Sequence, residues 1–70
     1  MNIEQVEYIM SDLEDEYVLF DENMEHVITI NRENTMDYDI HKGLLCVFQE
    51  NECIYINTGN IGMIEVVHGD

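Results

Sequence analysis

Seventy residues with sixteen Asp and Glu against Arg32 and Lys42 alone carry a formal charge of −14. A chain this short has room for one core and no second domain, and its 46% hydrophobic content places it outside the composition range of disordered chains. Such a charge makes nucleic acid and anionic membrane poor direct partners and basic protein surfaces good ones.

Residues 3–14 have the period of a helix. Ile3, Val6, Ile9, Met10 and Leu13 fall on one stripe, with Asn2 placed to cap the N-terminus and Gln5 placed to reach back to it. Tyr8 lies among the polar positions. Asp12, Glu14, Asp15 and Glu16 then crowd the expected C-terminal turn, where the helix dipole disfavours anions by roughly 0.3–1 kcal/mol each. Stability alone would place Lys or Arg there, so these acids are expected to serve a partner.

From Tyr17 the period changes to two. Strands are expected at 17–20 and 26–30, joined by a turn at Asp21–Met24. Residues 35–41 alternate, with Met36, Tyr38 and Ile40 on one face and Asp37 and Asp39 on the other. LLCVFQ at 44–49 is apolar on both faces, as for a central or twice-covered strand. Strands at 53–57 and 62–67 follow, linked by a one-turn connector at Thr58-Gly59-Asn60-Ile61. The expected fold is α+β: an N-terminal amphipathic helix packed on an antiparallel meander of five to six short strands, in a single domain spanning 1–70.

YINTGNIGMIEVV at 55–67 resembles the end of small SH3-like and Sm-like barrels, in which a single helical turn joins the last two strands. That resemblance implies a small barrel behind the helix. RNA-binding Sm-like proteins need basic loops, which are missing here, so the resemblance implies the architecture without the RNA binding.

The chain offers little for catalysis or metal binding. EF-hand registers starting at Asp12, Asp21 or Asp37 place Tyr17, His26 or Lys42 where Gly is required, and none ends in the bidentate Glu. His26, His41, His68, Cys46 and Cys53 lack zinc-ligand spacing. A turn centred on Asn51 would put the two cysteines on opposite sheet faces, and a two-residue turn at 51–52 would put them on one. Neither register pairs them across the strands, so free thiols are expected. Ser11, the sole serine, has no His near it in sequence, and TGNIG lacks the Lys-Ser/Thr of a phosphate loop. A non-enzymatic protein without cofactor or metal is the expectation. MNIEQVEYIM lacks the basic start of a signal peptide and no apolar run approaches a membrane span, so a cytoplasmic setting is expected.

The acids themselves remain. Asp37 and Asp39 project from one strand face about 6.7 Å apart, against a phosphate about every 3.4 Å along a DNA strand. A folded row of that density suits a groove built for phosphates. In size and charge the chain resembles the DNA-mimic inhibitors made by phages and mobile elements, which implies a bacterial host cell and a basic, nucleic-acid-binding protein as target. The expected partner surface comprises Tyr8, Asp12, Glu14, Asp15, Glu16, Tyr17, Asp21, Glu22, Glu25, Asp37 and Asp39. The acids of SDLEDEYVLFDENMEH (11–26) are expected to converge on it from a helix end, a strand and a turn. The competing reading is a small helix-plus-barrel interaction or regulatory subunit, whose acidity serves a basic partner or only solubility.

Overall fold

A computed structural model describes residues 1–12 and 15–69. One helix, α1 (Ile3–Ile9), precedes six strands: β1 (Glu16–Phe20), β2 (His26–Ile30), β3 (Asp37–His41), β4 (Leu44–Gln49), β5 (Glu52–Asn57) and β6 (Met63–Val67). A 3₁₀ turn at Thr58–Asn60 joins β5 to β6. The class is α+β. Among the described residues no helix is long and apolar enough to cross a membrane.

The strands do not form one meander. They form two antiparallel three-stranded sheets, ordered β2-β1-β6 and β3-β4-β5. The chain breaks between β2 and β3 because asparagines lock residues 31–36 into a loop. Asn31 Oδ1 accepts from the N–H groups of Glu33 and Asn34, and Asn34 Nδ2 donates to the Thr29 carbonyl. The first sheet instead gains its third strand from the far end of the chain, with Tyr17 opposite Val66 and Leu19 opposite Ile64.

The two sheets and the helix enclose one core. Tyr17 and Leu19 of β1, Ile28 and Ile30 of β2, Leu45 and Val47 of β4, Ile56, Ile61, Val6 and Met10 are buried in it. Both arms of the Asn2/Gln5 capping box are present. The Met1 ammonium donates to the carbonyls of Thr58 and Ile61, tying the start of the helix to the 3₁₀ turn.

The helix is shorter than its period suggests, ending at Ile9 with Met10 as its cap. Two tyrosines account for the early stop. The Tyr38 hydroxyl donates to the Met10 carbonyl at 2.8 Å, and the Tyr17 hydroxyl engages both backbone groups of Asp12. Backbone groups that would continue the helical ladder are thus held by the core. The expected clash between C-terminal acids and the helix dipole therefore does not arise for Asp12, which lies beyond the helix, or for Asp15 and Glu16, which lead into β1. The expected helical positions of Leu13 and Glu14 lie outside the described residues.

Two further expectations are corrected. Met36 precedes β3 and is 75% exposed, so it does not share the inward face of Tyr38 and Ile40. LLCVFQ is central in its sheet but covered on one side only: Leu45 and Val47 are buried, whereas Leu44 and Phe48 remain 37% and 38% exposed.

Candidate acidic and aromatic surface

The expected site residues divide into three groups. Tyr17 is in none of them: it is fully buried, its ring meeting Tyr38 edge-on at 6.2 Å between centroids. A tyrosine next to Glu16 in an acidic run looks like a surface residue, but the strand period turns it inward with Leu19. Tyr8 is the opposite case, 86% exposed on the helix. Glu14 lies outside the described residues.

The first group sits at the start of β1. Asp15 Oδ1 accepts from the Gly69 N–H at 3.1 Å, and its Oδ2 lies 3.3 Å from His68 Nδ1. Glu16 accepts from Asn31 Nδ2 at 3.0 Å. Asp12 stands exposed beside them, its backbone held by Tyr17. The Asp15 and Glu16 carboxylates join β1 to the chain segments that follow β6 and β2, which is a structural role.

The second group is the turn after β1. Asp21 Oδ1 accepts from the N–H groups of Asn23 and Glu25, the geometry of an Asx turn. Glu22 and Glu25 project from that turn into solvent. From Asp15 to Asp21 the extended chain covers about 20 Å, most of a molecule measuring 26 × 25 × 22 Å. The described acids of residues 11–26 therefore stand at opposite ends of β1 and do not converge on one surface. A strand separates its two ends by its own length.

The third group, Asp37 and Asp39, lies on the outer face of the β3-β4-β5 sheet. Pairing places Asp37 opposite Phe48 and Phe48 opposite Cys53; the next row reads Asp39, Cys46, Tyr55. A third row reads His41, Leu44, Asn57. The turn at Lys42-Gly43 sets this register, with φ of +51° and +80°, as a two-residue type I′ hairpin requires. Each Asp carboxylate also accepts from the N–H of the following residue, at 2.8 Å for Asp37 and 2.9 Å for Asp39. That contact fixes the side chain close to its own strand.

The same pairing settles the cysteine register. Gln49 opposes Glu52 across a two-residue turn, Glu50-Asn51, so Cys46 and Cys53 share the outer face on diagonal positions. Both are free thiols. Cys46 is 9% exposed, walled by Leu44 and Phe48 along its strand and Asp39 and Tyr55 across it. Burial pushes its pKa up, with Cys53 and Asp39 adding to the effect.

Tyr55 is 63% exposed on this face. Beyond it an open groove of about 490 Å³ runs to the acidic turn, lined by Asp21, Glu22, Val27, Tyr55, Asn57 and Asn60 among others. The ring thus has carboxylates on both sides: Asp39 across the sheet and the Asp21–Glu22 turn across the groove. Phe48 and Tyr55 are the surface residues that sequence reasoning missed. Their signal was the apolar pattern on both faces of LLCVFQ, which carries Phe48, and of CIYI, which carries Tyr55; it marks an exposed apolar plaque when no second layer follows. Among the described residues no group of three or more His, Cys, Asp or Glu is arranged to hold a metal ion.

Comparison with family models, curated proteins and solved structures found no match to this chain.

Proposed function

We propose that this protein is a non-enzymatic, acidic protein-binding protein of the DNA-mimic type, which occupies the nucleic-acid-binding surface of a basic host enzyme. The observation that carries the reading is the charge of −14 with two basic residues in seventy, displayed on a folded β surface. Self-repulsion on this scale burdens a domain with a small core, and a basic partner offsets it. The outward Asp37 and Asp39 stand two apart on one strand beside exposed rings, so charge and contact area are offered together. In this reading the protein works in the cytoplasm of a bacterial cell and needs no cofactor.

Pairing of the last strand with the first, and the 3₁₀ turn before it, favour a small SH3-like or Sm-like barrel as the underlying architecture. β2 and β3 would then be two halves of one long strand interrupted at 31–36. This supports the second reading, a barrel-type interaction subunit whose partner does not bind nucleic acid.

One experiment separates the two. The tagged protein is used at low salt to capture partners from a bacterial lysate, with and without saturating DNA or RNA. A mimic loses its partner to the competitor and to rising salt. A partner retained in full under saturating nucleic acid rules out the mimic and leaves the subunit.

A further inference from the structure

We propose that the outer face of the β3-β4-β5 sheet is a docking surface for an arginine-rich segment of a partner protein, whose guanidinium groups stack on Tyr55 and Phe48 and pair with Asp39 and Asp37. The inference rests on the reading above that the partner is basic, and it names the face and the cation.

The argument starts from the pairing. Two neighbouring rows each carry one carboxylate and one aromatic ring: Asp37 beside Phe48, and Asp39 two strands from Tyr55. At an interstrand spacing of about 4.8 Å the second pair stands roughly 10 Å apart, a span that one extended segment covers with successive side chains. The rings are exposed, at 63% for Tyr55 and 38% for Phe48, on a sheet face that no second layer of the described residues covers. A surface of this polarity selects its occupant. A second copy of the chain would bring another −14 charge against it, and a purely apolar partner would bury the aspartates unpaired.

Arginine satisfies both parts of the surface where lysine satisfies one. Its planar guanidinium stacks on a ring and offers a fork of donors to a carboxylate, whereas an ammonium is a compact, strongly hydrated point charge. Long-range attraction to the acidic chain does not distinguish the two cations. Contact with Tyr55 and Phe48 does.

The test uses the isotopically labelled whole protein titrated with an oligo-arginine and an oligo-lysine peptide of equal length at low salt. Amide shifts are expected to concentrate on β3, β4 and β5, and the arginine peptide is expected to bind on the order of threefold to tenfold tighter. Tyr55→Thr, which suits a strand, should remove most of that preference, while Tyr55→Phe should retain it. Asp37→Asn with Asp39→Asn should weaken both peptides alike. The amide spectrum of each variant verifies its fold. Shifts centred on α1 or on the Asp15 end, equal affinity for the two peptides, no binding of either, or line broadening from self-association at this face would each overturn the proposal. Those outcomes bear on the face alone. A captured partner that ignores nucleic acid would instead overturn the mimic reading and leave this docking surface standing.

Discussion

The Tyr17 hydroxyl holds both backbone groups of Asp12, donating to its carbonyl at 2.7 Å and accepting from its N–H at 3.1 Å. One phenol thereby does what a further helical turn would have done for that residue. Tyr17→Phe keeps the ring in the core and strands two part-buried polar groups, so a loss of about 1–3 kcal/mol is expected. Urea denaturation measures it. A loss below a few tenths would mean that water replaces the hydroxyl without penalty.

Tyr38, edge-on to Tyr17, gives a pH prediction. Burial, chiefly, and the neighbouring Tyr17 hold its hydroxyl pKa well above the ordinary phenol value. The unfolded chain releases that proton near pH 10 while the folded chain keeps it, so the folded state binds more protons above that pH. Stability from this group is complete below about pH 10 and falls as the pH rises beyond it. Denaturation midpoints followed upward from pH 9 should decline in the wild type and decline less steeply in Tyr38→Phe. Tyr55, raised first by its hydrogen bond to Cys53, should leave a residual slope that Tyr55→Phe reduces.

Gly62 meets the acidic turn at close range. A Cβ there would stand 2.7 Å from the Asp21 carbonyl oxygen and 2.9 Å from the Glu22 Cα, both backbone atoms. Its N–H also donates to the Phe20 carbonyl at 2.8 Å. Gly62→Ala should therefore destabilise by about 1–3 kcal/mol through overpacking. Gly59→Ala, which meets only the Asn57 side chain at 3.2 Å, should be the milder change in the same thermal melts.

The acids separate into structural and displayed members, and substitution distinguishes them. Asp21→Ala removes the acceptor for two backbone N–H groups and should lower stability by about 1 kcal/mol. Asp37→Asn with Asp39→Asn keeps the local acceptor oxygens and removes two repelling charges, so stability should hold or rise. If the Asp37/Asp39 pair proved the more damaging change, the sheet would depend on their charge.

The two thiols should differ in reactivity. Cys53 is exposed, whereas Cys46 is buried with a raised pKa, and the thiolate is the reactive form. Alkylation followed by mass spectrometry should label Cys53 well before Cys46, and Cys53→Ser should leave one slowly reacting site. Equal rates would indicate that the Leu44, Phe48 and Tyr55 wall opens readily.

What was legible in the sequence is what neighbouring residues decide together. HVITI and LLCVFQ occupy the strands their patterns suggest, TGN forms its single turn, and Asn2 caps the helix with Gln5. What was not legible depends on residues far apart along the chain. The helix stops at Ile9 because hydroxyls from β1 and β3 take backbone groups of Met10 and Asp12. β2 and β3 separate because Asn31 and Asn34 bind locally, and β1 takes β6 as its second neighbour. Charge counting also hides geometry. Asp15 and Asp21 look adjacent in the run 11–26, yet a whole strand lies between them, and the plaque carrying Phe48 and Tyr55 is formed by three strands that lie outside the acidic run.

The partnership of β1 with β6 also orders events in time. Residues 16–20 find one of their two neighbours only when residues 63–67 arrive, a contact between distant points of the chain that slows folding relative to a local hairpin. During synthesis the first sheet stays incomplete until that last strand has left the ribosome. The β3-β4-β5 hairpins, whose contacts are all between sequence neighbours, can form before then. The face carrying Tyr55 can thus take shape on the nascent protein before the first sheet is complete.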